Sequence, residues 1–209
     1  MYEMKTLHLS QDEIASASKL LAQDGIVAIP TDTVYGLAVR YDSEKAIQHL
    51  REVKQRPEDK PFALMVSSFK MIEELADLSL RDKQLIQETL PADLTYIFNK
   101  KESIKEGYFK DAKTIAFRMP NDEFVLKLID HLGIGLLVPS ANISGEQASV
   151  NSDEVMSSFE SVIEGIVLGQ SGQAEASTII DATTDTLKVL RQGKAQLEDI
   201  IRKVEESWK

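Results

Sequence analysis

Lys54, Arg56 and Lys60 crowd onto one short segment whose backbone is restricted by Pro57 and Pro61. Cations spaced this way on a stiff loop suit a polyphosphate: arginine offers two parallel hydrogen bonds to phosphate oxygens, and lysine a mobile point charge. The same residues also fit a solvated turn in which Glu52, Glu58 and Asp59 balance the charge. A second constellation, Pro30-Thr31-Asp32-Thr33-Val34-Tyr35-Gly36-Leu37, sets hydroxyls and a carboxylate straight after the apolar run Ile26 to Ile29. A third, Pro139-Ser140-Ala141-Asn142-Ile143-Ser144-Gly145, again follows an apolar run. Polar groups at the carboxyl end of a buried strand are where open α/β sheets hold ligands, although Ser, Asn and Gly also gather in turns for local hydrogen-bonding reasons. Arg118 closes a predicted strand, Thr114 to Phe117. Its planar donor fork calls for a carboxylate, either a ligand's or that of a nearby acidic side chain.

Other chemistries find little support. There is no G-x-x-x-x-G-K-[ST] run, so phosphates are not held by a P-loop, and no G-x-S-x-G elbow. His8, His49 and His131 are scattered, and with no cysteine there is no disulfide, thiolate nucleophile or cysteine metal site. A net charge of −10 argues against non-specific nucleic-acid binding as the main task, because releasing counterions from phosphates needs a basic face. Nowhere do about 18 apolar residues run together and the start lacks a signal-peptide pattern, so the expectation is a cytoplasmic protein with no membrane partner.

The elements that must position these groups alternate along the chain. Ser10-Gln11-Asp12-Glu13 reads as a capping box opening a helix that Gly25 stops. Ile26 to Ile29 reads as a buried strand, and a helix from Ser43 carries Ala46, Ile47, Leu50 and Val53 inward before the basic loop. Phe62 to Val66 is the next predicted strand, helical stretches cover Phe69 to Ala76 and Leu80 to Leu90, and strands follow at Thr95 to Phe98 and Thr114 to Phe117. Asn121 is expected to cap a helix ending at Gly133, Leu136 to Val138 to form the strand delivering Ser140, and Ser152 to Phe159 a short helix. Thr178 to Ile180 and Leu187 to Leu190 read as a hairpin. The class is therefore α/β, with a twisted open sheet mixing parallel and antiparallel pairs and flanked by helices. A chain of 209 residues, 43% hydrophobic, fits one domain over 1–209 with a helix at about 196–209.

Order and spacing of these runs, together with Thr114 to Pro120, Ser177 to Asp181 and Val189 to Gly193, resemble the YrdC/Sua5 family of threonylcarbamoyl-AMP synthases. The resemblance implies a YrdC-like fold with a large cleft and a nucleotidyltransferase that joins L-threonine, bicarbonate or CO2, and ATP into threonylcarbamoyl-adenylate for tRNA modification. It implies that Lys54, Arg56, Lys60, Thr114, Ser140, Asn142 and Arg191 bind nucleotide, that Lys54 and Arg56 are catalytic, and that Thr33, Arg118 and Thr178 line the threonine pocket. Mg2+ is expected with ATP, without a dedicated protein ligand. Expected partners are the downstream tRNA threonylcarbamoyl-transferase proteins, with at most a weak tRNA or duplex-RNA contact. The fold also suits a non-catalytic RNA-binding module, or a carbamoyl-transfer domain, although chains of the latter kind carry additional domains. Ala92 and Asp93 depart from the glycine and proline of the family pattern, Gln192 from a proline, and Met65 from a histidine found in some relatives.

Overall fold

The structure, a computed structural model, describes residues 5–172 and 176–206. Ten strands form among them: β1 (Leu7–Leu9), β2 (Val27–Ile29), β3 (Gly36–Arg40), β4 (Leu64–Met65), β5 (Leu94–Asn99), β6 (Thr114–Arg118), β7 (Leu136–Leu137), β8 (Gly165–Val167), β9 (Thr178–Asp181) and β10 (Lys188–Arg191). The helices are α1 (Ile14–Ala22), α2 (Glu44–Lys54), α3 (Phe69–Leu75), α4 (Leu80–Thr89), α5 (Glu123–Leu132), α6 (Ser152–Phe159) and α7 (Leu197–Glu206). The strands join in the order β1-β8-β2-β3-β7-β4-β6-β5-β9-β10, so the sheet is open. Pairs β1–β8, β8–β2, β4–β6 and β5–β9 are parallel and the others antiparallel, the mixed α/β class expected.

Strand side chains alternate between faces, and each face meets different helices. On one, Leu37, Leu64, Tyr96, Phe98, Phe117 and Ile180 pack with residues of α2, α3, α4 and α6 in the larger core. On the other, Val27, Ile29, Ala38, Met65 and Leu136 pack against Ala17 and Leu21 of α1 and Phe124, Val125, Leu128 and Ile129 of α5. That second helical layer ends over β4. Beyond it the same face continues through Arg118, Ala116 and Thr114 of β6 and Ile97 and Asn99 of β5, where Ala116 and Ile97 are half-buried and Thr114 and Asn99 exposed. This uncovered half of the sheet is the floor of a cleft.

Local chemistry explains the boundaries. Ser43 accepts a hydrogen bond from the Ala46 N–H at 3.2 Å and starts α2. Gly133, at φ 74, ends α5 in the left-handed conformation that glycine adopts without strain. Gly36 is required for contact rather than conformation, since a Cβ there would lie 2.3 Å from Val138 Cγ1, against the segment that delivers Ser140.

Some expectations need correction. Glu13 does accept from the Ser10 N–H at 2.8 Å, but this closes a turn, and the helix begins after Glu13 without a side-chain cap. Asp122 rather than Asn121 caps α5, accepting from the Val125 N–H at 3.0 Å. The terminal helix is α7, with Ile200 buried in the larger core, and residues 207–209 of the expected span lie outside the described residues. Among the described residues no helix is long and apolar enough to cross a membrane.

Candidate functional site

Strand directions divide the predicted residues into two groups. Because β4 runs parallel to β6 and antiparallel to β7, the start of β6, the segment entering β4 and the segment leaving β7 share one edge of the sheet. Thr114, the basic loop and the Ser140–Asn142 run therefore stand together at that edge. Arg118 lies at the other end of β6, four residues on, or about 13 Å by strand rise. Gly36 bridges Ser140, so the loop 30–35 starts at the first edge, yet it carries Asp32 and Thr33 across the open face to Arg118.

Lys54 is the hub of the first group. Only 1% exposed, it directs Nζ to the carbonyl oxygens of Ser140 and, at 2.7 Å, of Asn142. Its own carbonyl accepts from the Ser144 N–H at 2.9 Å. The run after β7 is thus hung from the last residue of α2, while inside it the Ser140 hydroxyl donates to Asn142 Oδ1. Burial first, and then the Arg56 charge, push Lys54 down from 10.5 to about 8. Arg56 donates from Nη2 to the Pro61 carbonyl at 2.9 Å, and Arg51 from Nη1 to the Pro57 carbonyl at 2.8 Å. Both guanidinium groups lie over the Phe62 ring, at 4.7 Å for Arg51 and 4.8 Å for Arg56. Held in this way the loop is built rather than merely solvated, with Lys60 exposed on it. Arg51 escaped the sequence reading, although it stands one helical turn before Lys54, where it could be expected to share the loop.

The second group centres on Arg118, 9% exposed. Its Nη2 donates to Asp32 Oδ1 at 2.5 Å and to Thr33 Oγ1 at 3.0 Å, while its buried Nε has no partner. Asp32 Oδ2 accepts from the Asn121 N–H at 3.0 Å. Burial raises Asp32 from 3.8 to about 6, with Arg118 opposing and Asp93 adding to the rise. The acidic partner foreseen as one alternative for Arg118 is therefore present, while the buried Nε remains an unsatisfied donor.

Face alternation separates two neighbours in the last motif. Ser177 bonds Thr95 hydroxyl to hydroxyl at 2.9 Å, and Arg191 donates to its carbonyl at 2.8 Å and hydroxyl at 3.2 Å. Arg191, predicted with the nucleotide group, stands near Arg118, whose charge, second to burial, holds it below the ordinary arginine value. Thr178 pairs with Leu94, on the face of the larger core, and is fully buried. Its hydroxyl donates to the Ala195 carbonyl at 2.8 Å and accepts from the Gly193 N–H at 2.9 Å. The structure thus does not bring Thr178 to the side chain of Arg118; Ser177, beside it in sequence, is the hydroxyl on that side. Thr95, Ser177 and Asp93 were missed as site residues because only the β5–β9 pairing assembles them. Among the described residues no three His, Cys, Asp or Glu side chains cluster as a metal site.

An open mixed sheet with one uncovered half, basic at one edge and carrying the buried Arg118–Asp32 pair at the other, places the chain among mixed α/β proteins with a cleft over the sheet. The chain belongs to the Sua5/YciO/YrdC family, whose profile, described as "Telomere recombination", matches residues 19–193. It is 34% identical over 190 residues to the threonylcarbamoyl-AMP synthase of Pyrococcus abyssi, covering 90% of this chain and 56% of that protein. To the threonylcarbamoyl-AMP synthase of Bacillus subtilis it is 31% identical over 201 residues, covering 93% and 58%. The crystal structure of P. abyssi Sua5 complexed with L-threonine superposes with a TM-score of 0.86 at 31% identity, covering 96% of this chain and 61% of that one. The chain spans a little over half the length of these relatives.

Proposed function

We propose that this chain forms threonylcarbamoyl-adenylate and pyrophosphate from L-threonine, bicarbonate or CO2, and ATP, in the cytoplasm, for tRNA threonylcarbamoyladenosine modification. The observation that carries this reading is the buried Arg118, whose Nε lacks a partner in a cleft that is basic at its far edge. The names of the two relatives, and the threonine complex of the Pyrococcus protein, support the same reaction.

In this mechanism Arg118, beside Thr33, binds the threonine carboxylate. The amine adds to CO2 and loses a proton, and a carbamate oxygen then attacks the α-phosphorus of ATP in line, expelling pyrophosphate. No covalent enzyme intermediate is needed. Arg56 and Lys60 neutralise charge growing on the leaving group, and Lys54 adds its charge while fixing the run from Ser140 to Asn142 against the nucleotide. Thr114 opens the same edge, and Arg191 meets the nucleotide from the amino-acid side. Mg2+ brought in with ATP would add charge neutralisation on the phosphates; Asp32, the acidic side chain of the loop after β2, is paired with Arg118 instead. The adenylate is unstable in water and passes to a downstream threonylcarbamoyl-transferase, with only weak direct contact to tRNA.

The test is pyrophosphate release measured with each component left out in turn. Release that requires threonine and bicarbonate together supports the synthase, and equal release with ATP alone overturns it.

A further inference from the structure

We propose that Tyr108, on the connection between β5 and β6, is a positioning residue for the nucleotide half of the cleft, acting through Arg51 and Phe62 to hold the basic loop in the shape that receives phosphate. The inference rests on the reading above that Arg56 and Lys60 meet the phosphates of ATP. Its basis is one oxygen shared by two donors. Tyr108 Oη accepts from the Phe62 N–H at 3.0 Å and from Arg51 Nη2 at 3.4 Å. Arg51 Nη1 in turn donates to the Pro57 and Lys60 carbonyls, at 2.8 Å and 3.3 Å. Arg56 closes the same loop from within, with Nε on the Lys60 carbonyl at 3.3 Å and Nη2 on the Pro61 carbonyl at 2.9 Å. The phenol therefore grips the exit of the loop, at Phe62, and also the α2 side chain that grips its middle.

Tyr108 is fixed at its own end. Phe109, next in sequence, is buried in the larger core, meets the Tyr108 ring edge-on at 4.8 Å between centroids and lies 5.9 Å from the ring of Tyr41. Lys100, where the connection leaves β5, donates from Nζ to the Ile104 carbonyl at 2.9 Å and to the Lys110 carbonyl at 2.7 Å, which draws the two arms of the connection together. The Tyr108 ring lies 6.3 Å from that of Phe62, over which both guanidinium groups sit. Two like charges over one ring repel: burial first, and then the Arg51 charge, hold Arg56 below the ordinary arginine value. Without the phenol oxygen, Arg51 loses the contact that holds it in this crowded place, and the N–H of the buried Phe62 loses its acceptor. The loop then spends part of its time in other shapes, and its affinity for a polyphosphate falls by the fraction of time it is out of place.

The experiment is calorimetric titration of wild type, Tyr108→Phe, Arg51→Lys, their double variant and Arg56→Ala with ATP in the presence of Mg2+ and, separately, with L-threonine. Tyr108→Phe keeps the ring and removes only the oxygen. It is expected to weaken ATP binding about five- to tenfold, the size of one lost hydrogen bond, and to leave threonine binding within about twofold. The double variant should bind ATP within about twofold of the weaker single variant, because both changes release the same loop. ATP affinity within about twofold of wild type in Tyr108→Phe, with Arg56→Ala impaired, overturns the positioning role and leaves the nucleotide reading standing. Additive losses in the double variant overturn it too, as do equal losses for ATP and threonine, the mark of a general destabilisation. Wild-type ATP affinity in Arg56→Ala overturns both readings. If Tyr108→Phe fails to fold, Arg51→Lys, which keeps a charge on α2 but not the planar fork, carries the same expectations.

Discussion

Replacing Lys54 by methionine keeps the buried stem and removes only Nζ, so its effect can be worked from the contacts. Of the bonds that hang the run 140–144 from α2, the backbone bond from the Ser144 N–H survives, and the bonds to the Ser140 and Asn142 carbonyls are lost. Each orphaned carbonyl costs about 1 to 3 kcal/mol if water does not replace the donor. Against this, the substitution relieves the burial of a charge. A fall from 10.5 to about 8 corresponds to roughly 3 kcal/mol of strain on the ammonium form. The two effects nearly cancel, so Lys54→Met should change unfolding free energy by no more than about 3 kcal/mol. Catalysis has no such compensation. Displacement of a positioning loop by about 1 Å can cost a hundredfold in rate, and kcat/KM for pyrophosphate release should fall by at least about that factor. A folded variant with kcat/KM within about threefold of wild type would refute the argument that this lysine fixes the loop.

The same residue gives a pH signature whose sign is opposite to that of a lysine gaining an acidic partner. Between about 8 and 10.5 the unfolded chain binds a proton at Lys54 that the folded chain has lost. Stability should therefore rise with pH across that window, and the rise should be missing in Lys54→Met. The difference between urea titrations of the two proteins at pH 8, 9 and 10 isolates the contribution. A neutral amine still carries two N–H groups, one for each carbonyl, so the loop should stay in place as the charge disappears.

Other outcomes are expected elsewhere. Arg118→Lys should weaken threonine binding by roughly ten- to a hundredfold, through loss of a charge-assisted two-point contact, with ATP affinity nearly unchanged in calorimetry; the reverse pattern would move Arg118 to the nucleotide half. Tyr35, buried and pushed up to about 12, donates to the Val167 carbonyl at 2.8 Å. Tyr35→Phe should cost about 1 to 2 kcal/mol in denaturant unfolding and leave turnover within about twofold, and a large loss of kcat without loss of stability would instead make the phenol a catalytic group. With a net charge of −10, binding to random duplex RNA should be weak at physiological salt in a gel-shift titration. Sub-micromolar, steeply salt-dependent binding would favour the RNA-module reading.

Much of the fold was legible because its signals are local. Ser43 before an apolar-periodic run, Gly133 after one, and short apolar strands followed by polar loops each act within a few residues. What escaped lacks such a signal. β1 and β8 are three residues each, too short to show a period, and they exist because each finds the other across the chain at the edge of the sheet. β3 carries no strand signal of its own where it opens, since Gly36 stands there for close contact with Val138 rather than for strand propensity. Thr178 is implied by the family resemblance, and Ser177 beside it is a hydroxyl of the same motif. A single residue of register decides which of them faces the cleft, and that register comes from pairing with β5.

The site follows the same logic, with functional consequences. Lys54 was legible as a cation near phosphate chemistry, but not as the post from which the Ser140–Asn142 run is hung, because its partners are backbone carbonyls that sequence does not distinguish. Arg118 was legible as a fork for a carboxylate, and which carboxylate is settled only where the loop after β2 crosses to the end of β6. In both cases residue type names an ingredient, and the partner brought by topology decides its role. A lysine with its ammonium buried against carbonyls orders a loop before it neutralises a phosphate, and an arginine already held by a carboxylate is positioned before it meets a ligand. The charge on a side chain is therefore a poor guide to its function until its neighbours are placed, which is why Lys54→Met and Arg118→Lys test this site more sharply than substitutions at its exposed cation, Lys60.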